Sequence, residues 1–312
     1  MLQFIELRVS CVNAVRTALS AALALGLVVS PPLLAQAMKV VSEKTATGFK
    51  FPESVAYDPE AKVLYVGSFG GTELKPGEKD NNGYISKVSL DGKMLEERFL
   101  PAAGVTMNKP KGIWVVGSRL WVTDIDGVWQ FDTKTKKGKK LDLPGIQFAN
   151  DPAIVGDTLY ISDNRGDALF SVTPADFLDM NGSPKVAVAW KDKGINPNGI
   201  YPGPDGTLLI VGFKSDKEKR GIYSMKPGQD PKPLSKEIGR LDGLYQMKDG
   251  TLLVTDWDSG SVFAWSEKSG MTSVASGFKG PADLCAFPND GGLMVVVPDL
   301  AKSELRMIQL GN

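Results

Sequence analysis

The sequence predicts an all-β protein folded as a six-bladed β-propeller. Two observations lead to this fold class: short apolar runs separated by glycine-rich turns, and the recurrence of one such pattern six times. The 312 residues include 34 glycines and 20 prolines, a composition that suits many short strands joined by tight turns. Six units of three or four strands, repeated around an axis, close into a ring that leaves only short, protected edges.

Residues 240–265 show the repeated unit most clearly. An apolar run after Asp242-Gly243 leads into a Lys-Asp-Gly turn, a β-branched run over 252–255, an Asp-Ser-Gly turn and an alternating run over 261–265. Such turns favour hairpins because glycine readily adopts the positive φ that they need. The stretch is therefore predicted to form three antiparallel strands of one sheet.

The same pattern recurs along the rest of the chain. Corresponding positions fall at residues 53, 111, 151, 198, 242 and 282, at spacings of 58, 40, 47, 44 and 40 residues. The segment 38–43 alternates weakly, and we expect it to pair as the outer strand of the last blade. A double β-sandwich is the alternative architecture, but it does not explain a regular repeat.

Residues 1–37 are predicted to be a cleavable signal peptide. Arg8 and Arg16 precede an apolar stretch over 18–29, and Ala35-Gln36-Ala37 has the small-x-small pattern of a cleavage site before Met38. A retained membrane anchor is the alternative, but an apolar span needs roughly 20 residues. Residues 38–312 are predicted to be one propeller domain, periplasmic or secreted, with no stable membrane insertion.

The composition excludes several classes of function. The formal net charge is +0 and no long basic run occurs, which argues against a nucleic-acid partner. The chain contains 0 histidines, so catalytic triads with a histidine base and histidine-ligated metals are excluded. A bound metal must be held by oxygen atoms, which favours Ca²⁺, Mg²⁺ or Mn²⁺.

One repeat position collects candidate ligands. In a propeller the first strand of each blade lines the central channel, so this position forms a ring around the axis. Its occupants are Glu53, Lys111, Asn150-Asp151, Asn198, Asp242 and Ala282-Asp283. We predict that the oxygen atoms of four of them bind one divalent cation: Glu53, Asn150, Asn198 and Asp242. Taken singly, each could instead be a turn residue that bonds local backbone. The aspartates that end second strands are expected at the rim or behind this ring: Asp124, Asp163 and Asp256.

These motifs resemble the senescence marker protein / gluconolactonase family. The resemblance rests on Pro52-Glu53-Ser54, Phe148-Ala149-Asn150-Asp151, Pro197-Asn198-Gly199 and Leu241-Asp242-Gly243, in that order. It implies a six-bladed propeller with one divalent ion, often calcium, held at positions matching Glu53, Asn198 and Asp242. It further implies that Asn150 lies near metal and substrate, that Asp242 is the general base, and that the activity is hydrolysis of a lactone or related ester. Mg²⁺, Mn²⁺ and oxygen-ligated Zn²⁺ are the alternative cations.

Two positions depart from the family pattern. Phe148 replaces the arginine that sugar lactonases of the family place two residues before the asparagine, and Lys111 puts a cation into the ring. Lys111 either pairs with a carboxylate or binds an anionic group of the substrate. Trp257, which follows Asp256, is the aromatic residue expected to contact substrate. The sequence thus predicts an exported, metal-dependent hydrolase of a small molecule; the alternative is a non-catalytic propeller that binds a small ligand or a protein.

Overall fold

The computed structural model describes residues 39–311, which form six four-stranded antiparallel sheets in a propeller ring. The predicted fold class is confirmed. The predicted signal peptide and Met38 lie outside the described residues. Within 39–311, no helix is long and apolar enough to cross a membrane.

In blades 1 to 5 the four strands follow one another in the chain, from the channel outwards. The first strand of the chain is β1 (Lys39–Ala46). Blade 1 comprises β2 (Pro52–Asp58), β3 (Val63–Ser68), β4 (Tyr84–Ser89) and β5 (Met94–Leu100), and blade 2 comprises β6 (Pro110–Val116), β7 (Arg119–Asp124), β8 (Gly127–Asp132) and β9 (Gly138–Asp142). Blade 3 comprises β10 (Ala149–Val155), β11 (Thr158–Asp163), β12 (Ala168–Thr173) and β13 (Lys185–Lys191), and blade 4 comprises β14 (Pro197–Pro202), β15 (Leu208–Gly212), β16 (Ile222–Met225) and β17 (Lys232–Pro233). Blade 5 comprises β18 (Leu241–Gln246), β19 (Leu252–Asp256), β20 (Ser261–Ser266) and β21 (Gly270–Ser276), and blade 6 comprises β22 (Cys285–Asn289), β23 (Gly292–Asp299), β24 (Glu304–Gly311) and β1. A short 3₁₀ helix covers Pro204–Gly206.

Blade 6 is built from both ends of the described chain. Strand β1 pairs antiparallel with β24, from Lys39 opposite Gly311 to Ala46 opposite Leu305. This confirms the expected closure, with a strand longer than the predicted segment 38–43. The three strands predicted within residues 240–265 are also confirmed as β18, β19 and β20.

The hydrophobic core is divided among the six contacts between neighbouring blades. Each contact has its own cluster of buried aliphatic and aromatic side chains. The cluster between blades 6 and 1 joins Val296 and Leu305 to Val55 and Leu64. Because burial of apolar area stabilises each contact at about 25 cal/mol per Å², the ring holds its six inner strands in fixed positions around the channel.

Candidate functional site

The inner strands of blades 1 to 5 each carry a β-bulge at the ring position. The register with the second strand shifts between Pro52 and Ser54 in blade 1, and between Leu241 and Leu244 in blade 5. Corresponding shifts occur in blades 2, 3 and 4. The ring residues therefore lie inside the inner strands, whereas the sequence pattern placed them just before. Bulges redirect side chains and are frequent beside active sites.

A hydroxyl at the end of the second strand holds the bulge in blades 2, 3 and 5. In blade 5, Thr255 Oγ1 accepts the Gly243 N–H at 2.7 Å and donates to the Ala282 carbonyl of blade 6 at 2.7 Å. Thr123 and Ser162 make the corresponding bonds from blades 2 and 3 to the next blade. The hydroxyls thus fix neighbouring ring positions relative to each other.

The aspartates that follow these hydroxyls have a structural role. Asp256 accepts the Arg240 N–H at 2.9 Å, and Asp163 accepts the Phe148 N–H at 2.9 Å. Asp124 accepts the Lys109 N–H at 3.0 Å. All three are buried and fix the segment that enters the inner strand of their own blade.

Adjacent inner strands approach too closely for side chains at two ring positions. A methyl group on Gly199 would collide with the backbone carbonyl oxygen of Asp242, and one on Gly112 would collide with the Asp151 side chain. Glycine therefore permits the narrow spacing of the ring.

The four predicted cation ligands are all buried at this ring. Glu53, Asn150, Asn198 and Asp242 are 6%, 6%, 3% and 7% exposed. Glu53 Oε2 and Asn198 Oδ1 are buried without a hydrogen-bond partner among the described residues. A buried acceptor without a donor costs about 1–3 kcal/mol, so both atoms fit a site whose partner is a cation.

Asp242 is held by an aromatic neighbour. Its Oδ2 accepts a hydrogen bond from Trp257 Nε1 at 2.7 Å. Burial raises the pKa of Asp242 to about 6, against the opposing effects of this hydrogen bond, the positive charge of Lys111 and a hydrogen bond from Asn198. Trp257, predicted to contact substrate, here orients the predicted base.

Glu53 lies within the electrostatic influence of the same groups. Burial raises its pKa well above the usual value, the negative charge of Asp242 raises it further, and Lys111 opposes both. Glu53, Asp242 and Lys111 are thus close enough for their charges to affect one another.

The ammonium group of Lys111 is enclosed. Its Nζ donates to the Pro76 carbonyl at 2.9 Å and lies 4.4 Å from the ring centroid of Phe69 and 4.2 Å from that of Phe148. Burial lowers its pKa to about 8, although Glu53 and Asp124 act in the opposite direction. Lys111 forms no ion pair within 4 Å among residues 39–311, so its role is not that of a direct partner of Glu53.

Phe148 also changes the chemistry at the mouth. The Arg165 guanidinium carbon lies 3.8 Å from the Phe148 ring centroid. Arg165 is exposed. The position that holds arginine in sugar lactonases therefore carries an aromatic ring, which packs between the side chains of Lys111 and Arg165.

The loop between β3 and β4, residues 69–83, covers this side of the mouth. Lys109 Nζ lies 2.5 Å from Asp80 Oδ2, and Lys79 pairs with Asp126 of blade 2. Pro76 accepts the Lys111 bond described above. These three contacts attach the loop to blade 2. The sequence did not predict them, because each joins the loop to a residue that lies later in the chain.

Two further carboxylates, Asp151 and Asp283, lie in the channel. Both are buried, and both pKa values are raised, chiefly by burial and then by other carboxylates: Glu53 acts on Asp151, and Asp151 acts on Asp283. The sequence placed both beside the ring but gave them no role. Their occurrence at the repeated position of blades 3 and 6 is the feature of the sequence that could have suggested a role in the channel.

The donor set fits a hard divalent cation. No cluster of three or more Asp, Glu, Cys or His side chains within 39–311 forms a ready metal site. The candidate set is instead two carboxylates and two amides, which is compatible with oxygen coordination of Ca²⁺. The raised pKa values of the carboxylates reflect buried negative charge that a cation would neutralise.

Comparison with known proteins supports the fold. No family model matches the chain, and no curated protein matches it by sequence. A solved structure described as a candidate gluconolactonase is 14% identical with a TM-score of 0.62, covering 88% of this chain and 94% of the other. A streptogramin B lyase is 13% identical with a TM-score of 0.57, covering 86% and 98%. An inactive variant of virginiamycin B lyase from Staphylococcus aureus, with quinupristin, is 14% identical with a TM-score of 0.55, covering 86% and 99%. The chain therefore shares its six-bladed fold with a candidate gluconolactonase and with streptogramin lyases, and the resemblance stated from the sequence is confirmed at the level of the fold.

Proposed function

We propose that the protein is a hydrolase of a lactone or related ester that uses one divalent cation, most suitably Ca²⁺, at the mouth of the channel. The observation that carries this proposal is the pair of buried acceptors without partners in the described structure, Glu53 Oε2 and Asn198 Oδ1, beside Asp242. Glu53, Asn198 and Asp242 would hold the cation, with Asn150 as the fourth candidate ligand. When bound, such a cation polarises a carbonyl and stabilises negative charge on its oxygen.

The remaining steps belong to side chains of the protein. Asp242 is placed to accept a proton from the attacking water, and the Trp257 N–H holds its carboxylate in one orientation. Asn150 can donate to a substrate oxygen through its amide. The rings of Phe148 and Phe69 and the loop over residues 69–83 limit access of water to this side of the mouth. A proton acceptor fixed near the reacting atoms contributes typically 10²–10⁴-fold to rate.

Three of the similar solved structures are lyases, a class of enzyme that this composition does not favour. One of these lyase structures is of a catalytically inactive variant in which a histidine is replaced by alanine. The present chain has 0 histidines. A hydrolase that depends on carboxylates and a cation is therefore better supported than a lyase that depends on histidine.

Metal analysis and a panel of substrates test the proposal. The purified protein should contain close to one equivalent of a divalent cation, and it should hydrolyse at least one of a panel of lactones and aryl esters. Chelation should abolish turnover and calcium should restore it. Asp242→Asn should lower kcat by about 100-fold or more, whereas Asp290→Asn, at an exposed turn, should not. A protein that binds no cation, or turnover that survives both chelation and Asp242→Asn, would exclude this mechanism.

We also propose export, with cleavage after Ala37. The support is the signal pattern in residues 1–37. Expression of the full chain in a bacterium and mass measurement of the soluble product should show a chain that begins at Met38. A product that retains residues 1–37 in the cytoplasm would contradict export without affecting the cation site.

A further inference from the structure

The end of the channel opposite the mouth holds a cavity. It has a volume of about 150 Å³ and is lined by the inner strands of all six blades or the residues that lead into them. We call it the distal chamber and define it by six of its lining residues: Tyr57, Trp114, Asp151, Tyr201, Tyr245 and Asp283. No lysine or arginine of residues 39–311 lines it, and the proposed hydrolase does not use it.

The wall of the distal chamber is largely aromatic. Trp114 and Tyr201 make an edge-to-face pair with centroids 5.9 Å apart, and Tyr201 and Tyr245 make another at 5.4 Å. Tyr57 stacks on Phe287 at 4.2 Å, which holds its ring against blade 6. All four lining rings are only half-buried, and Trp114 Nε1 is buried without a partner in the described part of the chain. The rings therefore keep surface available in the cavity.

Two carboxylates complete the chamber, and each has an oxygen without a partner in the described chain. Asp151 Oδ2 accepts the Ile200 N–H at 3.1 Å, and Asp283 Oδ1 accepts the Leu284 N–H at 2.7 Å. The second oxygen of each accepts no hydrogen bond from residues 39–311, and neither side chain forms an ion pair there. The residues are 7% and 8% exposed, and both line the cavity. The unpartnered oxygens are not among the fully buried atoms that lack a partner, so a positive charge or a donor in the cavity can reach them.

The combination of these groups selects one chemical class. Aromatic faces attract cations, by about 0.5–2 kcal/mol each. A cation bound beside Asp151 and Asp283 would favour their ionised form against the effect of burial, so that they supply the opposite charge. A divalent metal ion would need six to eight oxygen ligands, which walls made of rings and aliphatic side chains do not offer. Anions are excluded by the two carboxylates. We propose that the distal chamber binds a small organic ammonium ion, such as an alkylammonium or methylated ammonium group.

Two ligands of equal shape test the proposal on the unaltered protein. Choline and 3,3-dimethylbutan-1-ol differ in the quaternary nitrogen, which is replaced by carbon in the alcohol. Titration calorimetry at constant ionic strength should show saturable binding of choline at least about tenfold tighter than that of the alcohol, a difference of about 1.4 kcal/mol. Equal binding of both, or no saturable binding of choline, would overturn the proposal.

Variants at the two ends of the channel locate the site. Trp114→Leu and Asp283→Asn should each weaken choline binding at least about tenfold. Trp257→Phe, at the mouth, should leave choline affinity unchanged. Circular dichroism checks that each variant is folded. If a variant does not fold, the comparison of choline with 3,3-dimethylbutan-1-ol on the unaltered protein still tests the proposal. Loss of choline binding in Trp257→Phe, with binding retained in Trp114→Leu, would place the ammonium site at the mouth and overturn the proposal for the chamber.

Discussion

At the scale of single residues, the orientation of Asp242 depends on Trp257. The indole N–H donates to Oδ2 and opposes the effect of burial on the pKa of the carboxyl. Hydrogen bonds to charged groups contribute about 1.5–3 kcal/mol. Asp242 could be predicted from its repeat position. The role of Trp257 could not, because 15 residues separate the two and only the pairing of β18 with β19 brings them together.

Replacement of Trp257 should therefore weaken the cation site. Trp257→Phe removes the N–H but keeps an aromatic ring, so we expect calcium affinity to fall about tenfold. Titration calorimetry with calcium measures this. Trp190→Phe is the matched control, because Trp190 Nε1 has no partner in the described structure and lies in the outer strand of blade 3. Unchanged calcium affinity in Trp257→Phe would show that the hydrogen bond does not position Asp242 for the cation.

At the scale of elements, the inner strands were more predictable than their bulges. The apolar runs and Asp-Gly turns of residues 240–265 predict β18 to β20 because hairpin signals are local. The bulge at Asp242 depends on hydrogen bonds that cross between strands and blades, namely those of Thr255. These hydrogen bonds join residues that are far apart in the chain, so the local sequence does not predict them. The same reason explains why the path of the loop over 69–83 could not be predicted.

This loop should open when its buried ion pair is broken. Asp80→Asn leaves the Lys109 ammonium, whose side chain is 1% exposed, without its carboxylate. Removing one partner of a buried pair costs about 3–5 kcal/mol, so we expect chymotrypsin to cleave after Leu74, a bond that neither variant alters, at least about tenfold faster. Limited proteolysis followed by mass measurement tests this. Glu73→Gln, which alters an exposed pair with Lys75, should leave the cleavage rate nearly unchanged; equal acceleration in both variants would contradict a specific role of Asp80.

At the scale of the whole molecule, the ring concentrates buried carboxylates from separate blades in one channel. Glu53, Asp151, Asp242 and Asp283 all have raised pKa values. The positive charge of Lys111 opposes this rise at Glu53 and Asp242, and that of Arg240 also opposes it at Asp242. The repeat places all four at the ring position, but it suggested a role only for Glu53 and Asp242. The contribution of the other two depends on the distal chamber, which only the assembled ring creates.

The stability of the metal-free protein should reflect this buried charge. A carboxyl with a raised pKa in the folded state keeps a proton that the unfolded chain releases, so its contribution to stability falls as pH rises. For Asp242 the fall should lie between about pH 4 and pH 6, from the ordinary value of 3.8 and the folded value of about 6. Urea unfolding in the presence of chelator measures this. As pH rises from 4 to 6, the free energy of unfolding of the unaltered protein should fall relative to that of Asp242→Asn.

Calcium should reverse this trend. A ligand that binds only the folded state stabilises it in proportion to RT ln(1 + [L]/Kd). At pH 7, excess calcium should raise the free energy of unfolding of the protein but not that of Asp242→Asn. A stability difference that does not vary between pH 4 and pH 6, together with equal responses of both proteins to calcium, would show that Asp242 does not carry the buried charge.

The pairing of β1 with β24 also bears on how the chain reaches its final state. Blade 6 cannot be completed until residues 304–311 meet Lys39–Ala46, so the chain must be synthesised as far as β24 before this blade can form. Until then, β23 has a free edge and the sixth contact between blades is incomplete. Pairing between strands so far apart in the chain is slow to form, so closure of blade 6 should be a late step of folding.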